Sequence, residues 1–475
     1  MSTTAEASSP GDTARWFTPG LIAITVAALA GRFYYLVQSK VNDTASIFQG
    51  DAFWYSTTAQ NLARGEFFLS AFTGNPTADH PPLTVVVLAP ASLLFRDSTY
   101  AQRLTMVLLG AATVAVIGLA ARRLAGPRAG LIAAGVAALA PALWVSDVLL
   151  MSETPAALLI ALILWAGIAL ADNQERRLVV VAGVLCGLAT LARAEMGLFL
   201  PLMVWPILVL NRGQTWQHRA RLVGLATAAT VAVIAPWTVL NLTRFQEPVL
   251  LSNNDGVTLL GANCRSTYEG AITGGWVIEP CLTDLYTTID DHKPPRTAAQ
   301  RDEQRRAAAV NPAVKLCDDP FQKRLPCWDA SKVSKLMRAK GLRYITHHKA
   351  DLPRVILARN GRVWGFYQPG RGASAGLAEG RERWVSQWGF FQTWALLPVS
   401  AAGAVVLRKR RVSLIPFAAS VLIVVVVSSA FYGLVRFRLP YDVASCLLAG
   451  VAFSALFGSD ENAGRSSSRW PWTPQ

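Results

Sequence analysis

The sequence is poor in charged residues and lacks paired cysteine motifs. Charged residues make up only 16% of the 475 positions and hydrophobic residues 52%, which excludes an ordinary soluble protein of this size. None of the six cysteines forms a CxxC pair, which argues against a zinc site. No internal repeat is visible, so the chain lacks the repeated halves that many transporters have.

Long apolar runs are what the sequence does contain. Nearly uncharged stretches of about 16 to 24 residues recur, and a helix needs about 20 apolar residues to cross a membrane. They predict an all-α polytopic membrane protein with about ten transmembrane helices. The predicted crossings are 18–38, 99–121, 129–148, 154–171, 178–193, 196–211, 222–241, 386–407, 412–433 and 439–457. The stretch 80–95 is short and interrupted by proline, which predicts an interfacial or re-entrant segment on the outer side.

Basic residues account for the net charge of +15, but they cluster beside the apolar runs, which disfavours a nucleic-acid partner. If the N-terminus is cytoplasmic, every short loop rich in arginine falls on the cytoplasmic side, as the positive-inside rule requires. These loops lie at 122–128, 176–177, 212–221 and 408–411. The same topology places the long segment 242–384 outside and both chain ends in the cytoplasm.

Four cysteines share that long segment, whereas Cys186 and Cys446 lie inside apolar runs. Four cysteines in one domain outside the membrane suit two disulfides in an oxidising compartment, in agreement with the topology. The four are Cys264, Cys281, Cys317 and Cys327. Three connectivities remain open, and we favour the local pairs Cys264 with Cys281 and Cys317 with Cys327.

The predicted organisation has five parts. A disordered cytoplasmic N-terminus (1–14) precedes a membrane core (15–241) whose first outer loop is 39–98. A small extracytoplasmic domain of mixed structure (242–384), C-terminal transmembrane helices (385–458) and a disordered cytoplasmic tail (459–475) follow. Cleavage after Ala30 as a signal peptide is not expected, because the apolar run continues to Val37.

Several charged residues border membrane segments on the outer side. Ionisable groups there are costly and often functional, although long side chains at helix ends also reach water at little cost. The set is Asp51, Asp79, His80, Glu153, Arg193, Glu195, Arg436, Arg438 and Asp442. Asp51 begins the amphipathic stretch DAFWYSTTAQNLARGEFF and has the alternative interpretation of a helix N-cap. Arg193 with Glu195 is equally explained as a structural pair at a tight turn.

The order of these motifs resembles a known family. Asp51 after the first helix, the Leu-Ala-x-Gly pattern and His80-Pro-Pro-Leu are similar to the first outer loop of the GT-C membrane glycosyltransferases. The branch with protein O-mannosyltransferases and the lipid A aminoarabinose transferase (family 39 and its neighbours) is the most similar. Further matches are Ser152-Glu153-Thr154, Leu191 to Glu195, Pro236-Trp237 with Asn241, and Arg436-Phe437-Arg438-Leu439-Pro440. Two departures are Ala52, where many relatives have a second acidic residue, and His80, where some have lysine.

The resemblance implies that a sugar is transferred from a polyprenyl-phosphate carrier to an acceptor hydroxyl on the extracytoplasmic face. Such chemistry needs a carboxylate to remove the hydroxyl proton and cations to hold the phosphate. We expect Asp51 to be the base, and Glu153 to orient the acceptor or support Asp51. Two neighbouring carboxylates would raise one pKa toward neutrality.

For substrate and phosphate binding we nominate a set with several cations, because guanidinium groups suit phosphate oxygens. The nominees are His80, Arg193, Glu195, Arg436 and Arg438. Arg436 and Arg438 would share one face of an extended link. No cofactor is predicted with certainty, and a divalent cation between Asp51 and Glu153 stays open.

The implied partners are a polyprenyl-phosphate-linked sugar, membrane lipids and a glycan, lipid or protein acceptor. The sequence does not separate mannose, arabinose and galactose donors. The rival interpretations are a transporter or flippase of lipid-linked sugars and a non-catalytic membrane assembly partner.

Overall fold

The computed structural model describes residues 10–39, 50–70, 75–211, 213–278, 280–281 and 329–457. Throughout these ranges the regular secondary structure is helical, as the hydrophobic pattern predicts. The first helix begins at Pro10, before the predicted start of the membrane core. The predicted terminal segments otherwise fall largely outside the described residues.

Six described helices are long and apolar enough to cross a membrane. They are Arg15–Gln38, Thr99–Leu139, Glu153–Asp172, Trp216–Arg244, Arg383–Lys409 and Val435–Leu456. Three shorter apolar helices are Leu83–Leu94, Ala194–Val209 and Ile415–Ala430. Each predicted crossing overlaps one of these helices or the helix Arg176–Ala192. The chain is therefore an all-α polytopic membrane protein.

Two predicted crossings are joined in the helix Thr99–Leu139, which is interrupted at Ala125 and Gly126. Gly126 has φ +87°, a conformation that glycine adopts without strain, and Pro127 follows it. The second half ends at Leu139, earlier than the predicted 148. Ala140 precedes Pro141 and is extended, because proline disfavours the helical conformation in the residue before it.

The predicted crossing 196–211 is irregular. It consists of a 3₁₀ turn Ala194–Leu198, a π turn Leu200–Val204 and a short α-helix Trp205–Val209. Pro201 and Pro206 carry no backbone N–H, so a regular hydrogen-bond ladder is interrupted twice.

A buried glutamine fixes two helices of the predicted first outer loop to the long helix Thr99–Leu139. The helix Asp51–Ala63 lies beside Leu83–Leu94, which occupies the proline-interrupted stretch predicted to be interfacial. Gln102 accepts from Ser56 Oγ and donates to Ser92 Oγ, both at 2.7 Å. One side chain of the long helix therefore holds both surface helices in place.

The described part of segment 242–384 is helical, with helices Asp255–Ala262, Ala330–His347 and Leu352–Val363. Arg359 joins it to the membrane core, because its guanidinium donates to the carbonyl oxygens of Ala262 and Ser429 at 2.9 Å each. The predicted disulfide Cys264–Cys281 is present, with Cα atoms 5.6 Å apart. Cys317 and Cys327 lie outside the described residues.

The last helix, Leu439–Leu456, runs through the centre of the fold, and most of its side chains are buried. At Gly450 an added Cβ would lie 2.5 Å from the Ala129 carbonyl oxygen, so this helix and the long helix Thr99–Leu139 pack backbone to backbone. Small residues allow such close approach between membrane helices. The central position brings the turn before this helix, Val435–Arg438, into contact with residues from distant segments.

Candidate functional site

Arg436 brings three carboxylates together. Its Nη1 atom lies 2.7 Å from Asp51 Oδ2 and 3.3 Å from Glu379 Oε1, and its Nε atom lies 3.9 Å from Glu153 Oε1. Its Nη2 atom also donates to the Tyr432 hydroxyl at 3.3 Å. The Arg436 side chain is 13% exposed, so little water screens these contacts. Asp51 and Glu153 therefore meet through one guanidinium group.

Arg193 ties Glu153 to the end of a neighbouring helix. The helix Arg176–Ala192 ends there, and Arg193 is extended, with φ −148° and ψ 121°. Its Nη1 atom lies 2.7 Å from Glu153 Oε1, and its Nε atom lies 2.7 Å from Glu195 Oε1. The local pair with Glu195 thus exists, and the same guanidinium also reaches Glu153. Glu153 is the first residue of its helix, where the helix dipole favours a negative charge.

His80 lies on the opposite side of Asp51. Its Nε2 atom is 3.4 Å from Asp51 Oδ1, and its ring stacks on Tyr55 with centroids 4.9 Å apart. Neighbouring backbone holds it there, because Arg244 Nη2 donates to the Thr77 carbonyl oxygen and Asn253 N donates to that of Ala78, both at 2.9 Å.

The prediction for Arg438 is wrong in its geometry. The link is a 3₁₀ turn, Val435–Arg438, and not an extended strand. With about three residues per turn, side chains two positions apart point in different directions. Arg438 is fully buried, donates from Nε to Asp442 at 2.9 Å and from Nη1 to the Val363 carbonyl at 3.0 Å, and does not line the cavity at Asp51.

A cavity of about 140 Å³ opens beside these charges. Five residues nominated from the sequence line it, namely Asp51, His80, Arg193, Glu195 and Arg436. The sequence does not single out the polar residues that complete the wall, which are Ser252, Asn254, Asp255, Thr258 and Tyr432. Nor does the sequence single out Glu379, which contacts Arg436. Tyr432 stands four positions before Arg436, in a non-helical stretch between the helix Ile415–Ala430 and the turn Val435–Arg438, and no pattern in segment 242–384 marks the others.

The electrostatics of Asp51 differ from the prediction. Burial alone would raise its pKa, but His80 and Arg436 outweigh burial and lower the pKa of Asp51 well below its usual range. The predicted rise toward neutrality assumed two carboxylates facing each other. A guanidinium lies between them instead, so Asp51 is charged at neutral pH.

Arg436 also lies where a divalent cation shared by Asp51 and Glu153 would have to bind. Among the described residues, no group of three or more histidine, cysteine or acidic side chains is arranged to hold a metal ion. A cation shared by the two carboxylates would have to displace Arg436 from its contacts with both.

The fold and the site therefore define a polytopic membrane protein with buried, alternating charges at one end of its helices. Residues 79–239 match the model of the dolichyl-phosphate-mannose-protein mannosyltransferase family. This match confirms the resemblance inferred from the motifs for a part of the chain that includes His80, Glu153, Arg193 and Glu195. The comparison with curated proteins found no match.

Solved membrane enzymes are also similar in structure. The oligosaccharyltransferase AglB of Archaeoglobus fulgidus, in complex with an inhibitory peptide and a dolichol-phosphate, is 16% identical with a TM-score of 0.49, over 93% of this chain and 50% of that one. ArnT of Cupriavidus metallidurans, bound to undecaprenyl phosphate, is 16% identical with a TM-score of 0.36, over 94% of this chain and 79% of that one. The chain thus spans about half the length of the archaeal enzyme.

Proposed function

We propose that this chain is a membrane glycosyltransferase that moves a sugar from a polyprenyl-phosphate-linked donor to an acceptor hydroxyl on the extracytoplasmic face. The observation that carries the proposal is the contact of Arg436 with both Asp51 and Glu153 at the edge of an open cavity. The family match supports it, because that family is named for a phosphate-linked polyprenol as mannose donor.

In the proposed reaction the acceptor oxygen attacks the anomeric carbon of the sugar, and the bond between that carbon and the phosphate oxygen breaks. The acceptor proton passes to the Asp51 carboxylate, and the phosphate leaves with the bonding electron pair. A guanidinium stabilises that developing negative charge. Arg436 is suited to this role because it contacts Asp51 and lines the cavity beside it.

Arg436 also controls the strength of the base. While Arg436 contacts Asp51, the pKa of Asp51 is well below its usual range, and a carboxylate of that kind is a weak proton acceptor. A donor phosphate that draws the guanidinium toward itself weakens this contact and raises the basicity of Asp51. The site therefore becomes competent as the donor binds.

The extracytoplasmic location rests on the arrangement of charges along the helices. Arg123 pairs with Asp172 at 3.2 Å, at the opposite end of the helix Glu153–Asp172 from the candidate site. Twenty residues of helix cover about 30 Å, the thickness of a hydrocarbon core. Arginine-rich loops favour the cytoplasm, which supports an outer location for the site end.

The experiment is sugar transfer by the purified protein in detergent or nanodiscs, using a panel of polyprenyl-phosphate donors that carry mannose, arabinose or galactose. Release of polyprenyl phosphate is followed by mass spectrometry. We expect Asp51→Asn to lower the rate by about 10²–10⁴-fold. The matched control is Asp97→Asn, since Asp97 belongs to the same outer loop and pairs with Arg64 at its surface. Full transfer by Asp51→Asn would contradict the base assignment, and no transfer with any donor would favour a transporter or assembly partner.

A further inference from the structure

One end of the helix Trp216–Arg244 carries a motif that takes no part in the reaction proposed above. Trp237, Asn241 and Arg244 stand at positions i, i+4 and i+7 of this helix, so their side chains share one face. Trp237 and Asn241 are buried, Arg244 is half-buried, and none of the three lines the cavity at Asp51. A polar face at the end of a candidate span needs polar partners, and these lie in two other segments of the chain.

The guanidinium of Arg244 is held by aromatic rings and by one side-chain amide. Its Cζ atom lies 4.8 Å from the ring centroid of Trp237 and 5.1 Å from that of Phe245. Its Nε and Nη2 atoms both donate to Asn241 Oδ1, at 3.1 and 2.8 Å. These contacts are with neutral groups, so their geometry and not a countercharge fixes the direction in which the guanidinium donates.

The guanidinium donates across the fold to the backbone before His80. Arg244 Nη2 lies 2.9 Å from the carbonyl oxygen of Thr77, 167 positions earlier in the chain. The other two polar groups of Thr77 are also engaged, because its hydroxyl accepts from Trp54 Nε1 and its N–H donates to the Phe68 carbonyl, both at 2.9 Å. Arg244 therefore completes the hydrogen bonding of a buried residue that lies shortly before His80.

The same helix end holds the next residue, Ala78, through an outer segment. Trp237 Nε1 donates to the Leu251 carbonyl at 2.7 Å, and further along that segment Asn253 N donates to the Ala78 carbonyl at 2.9 Å. Two successive carbonyl groups shortly before His80 are thus fixed from one helix end. The backbone therefore leaves little freedom to the ring that follows.

The position of His80 matters because its contact with Asp51 is long. Tyr55 and Trp54 pack on the His80 ring with centroids 4.9 and 5.1 Å away, which fixes the plane of the ring more than its reach toward Asp51. The distance from Nε2 to Asp51 Oδ1 is 3.4 Å, whereas an N–H···O hydrogen bond measures about 2.7–3.2 Å. A small shift of the backbone therefore makes or breaks this contact.

From these contacts we infer that Arg244 is a positioning residue for His80. With its two partners on the same helix face, it fixes the backbone that sets the distance from His80 to Asp51. Its importance for sugar transfer rests on the proposed function, whereas the position of His80 can be measured without turnover.

The alternative is that Arg244 anchors its helix end to lipid headgroups, as long basic side chains at helix ends often do. Such an anchor points its donors toward the headgroups, whereas Nε and Nη2 of Arg244 are both taken by protein oxygens. Lysine serves equally well as an anchor but cannot reproduce the fork that reaches Asn241 and Thr77. Arg244→Lys therefore separates the two interpretations.

Arg219 offers a matched control at the opposite end of the same helix. Its guanidinium lies 5.7 Å from the ring centroid of Trp216, and its Nη1 atom donates to the Val209 carbonyl at 2.7 Å. Arg219→Gln therefore removes the same kinds of contact as Arg244→Gln, but away from His80.

The position of His80 is tested by its reaction with diethyl pyrocarbonate in the intact protein in nanodiscs. Mass spectrometry gives the rate for His80 relative to that for His347, which is exposed and serves as the internal reference. We expect this ratio to rise about tenfold in Arg244→Gln, the effect of losing one hydrogen bond from a charged donor, and about threefold in Arg244→Lys. Arg219→Gln should leave the ratio unchanged.

Sugar transfer tests whether this position matters for the reaction. Arg244→Gln should lower kcat by about tenfold to a hundredfold, the scale for a small misplacement in an active site. The acidic limb of kcat/KM should also shift to higher pH, as in His80→Gln, because burial raises the pKa of Asp51 whereas His80 and Arg436 lower it. In the double variant the loss should equal that of His80→Gln alone, since Arg244 acts through His80. Arg219→Gln should match the wild type.

An unchanged His80 ratio in Arg244→Gln would overturn the inference, whatever the transfer rate. A wild-type ratio in Arg244→Lys beside a raised one in Arg244→Gln would also overturn it, as the result expected of a headgroup anchor, and so would losses that add in the double variant. If Arg244→Gln fails to fold, a wild-type ratio in Arg244→Lys overturns the inference by itself. A raised ratio in a protein that transfers no sugar from any donor contradicts the proposed function alone.

Discussion

Arg436 Nη1 lies 2.7 Å from Asp51 Oδ2, although the two residues are 385 positions apart in the chain. The helix Asp51–Ala63 supplies the carboxylate, and the turn before the last helix supplies the guanidinium. The same Arg436 side chain contacts Glu153 and Glu379, so its removal leaves three acidic groups without their common partner. Its replacement is the most informative single change in the site.

We expect Arg436→Lys to lower the rate of sugar transfer by about 10²–10³-fold, the size of effect seen when one electrostatic donor is removed from an active site. Lysine keeps the charge but has a single nitrogen, so it cannot contact Asp51 and Glu379 from one nitrogen and Glu153 from another. The rate is measured with saturating donor, together with thermal unfolding. Arg265→Lys, at an exposed pair with Glu269, is the control and should retain the wild-type rate. A normal rate in Arg436→Lys would exclude the bridging role.

The pH dependence of transfer should report the contact between Asp51 and Arg436. The lowered pKa of Asp51 keeps its carboxylate ionised down to pH values below about 4, the range of an ordinary aspartate. Because the folded-state pKa lies below that of the unfolded chain, ionised Asp51 stabilises the fold above about pH 4, and this contribution is lost as the pH falls through the lower folded-state value. The acidic limb of the kcat/KM profile, which reports the enzyme before the donor binds, should therefore lie below about pH 4.

Removing the positive charge of Arg436 should shift the acidic limb of the pH–rate profile. In Arg436→Gln, burial is opposed by His80 alone, so we expect the acidic limb of residual activity to shift to higher pH. The pH–rate profiles of wild type and Arg436→Gln, recorded with the same donor, make the comparison. An unchanged limb would mean that another group controls it.

The helices were largely predictable from the sequence, because about twenty apolar residues leave few alternatives to a crossing. The sequence also marked Asp51, Glu153, His80 and Arg193 beside apolar runs, and the structure brings these four side chains together. Glu379 was not predictable, since it lies in segment 242–384, where neither hydrophobic period nor motif marks it. The direction of the Arg438 side chain depends on the 3₁₀ turn, which the sequence did not predict. The pKa of Asp51 depends on the Arg436 guanidinium that lies between Asp51 and Glu153.

A buried ion pair should govern the position of Glu153. Asp147 Oδ2 lies 2.6 Å from Arg32 Nε, and Asp147 Oδ1 accepts from the Thr154 hydroxyl at 2.9 Å, one residue after Glu153. The two charged side chains are 2% and 4% exposed. We expect Asp147→Ala to destabilise the protein by about 3–5 kcal/mol, because it leaves Arg32 buried without its partner. Thermal unfolding in detergent, analysed with the transfer rate, measures both effects.

The double variant Arg32→Leu with Asp147→Leu separates stability from positioning. Replacing both charges by apolar residues often restores the stability that a single replacement removes. We expect it to unfold near the wild-type temperature but to transfer sugar more slowly, since Thr154 has lost its acceptor. A double variant as unstable as Asp147→Ala would show that the pair contributes more than charge compensation.

The oxidation state of Cys264 and Cys281 tests on which side of the membrane the candidate site lies. The disulfide closes a loop of 17 positions, which corresponds to about 3 kcal/mol of local stabilisation. Arg362 Nε donates to the Thr273 carbonyl within this loop at 2.7 Å, so loosening the loop should also loosen the contact with the helix Leu352–Val363. Replacing both cysteines by serine should therefore increase proteolysis of segment 242–384 more than it changes global unfolding.

Alkylation of whole cells measures directly whether Cys264 and Cys281 are oxidised. Cys264 and Cys281 should resist a thiol reagent until a reductant is added, because disulfides persist in oxidising compartments outside the cytosol. Cys186 and Cys446 are free but buried, so they should stay unlabelled in the folded protein and serve as an internal control. Reactive thiols at 264 and 281 without reductant would place segment 242–384 in a reducing compartment, and the candidate site with it.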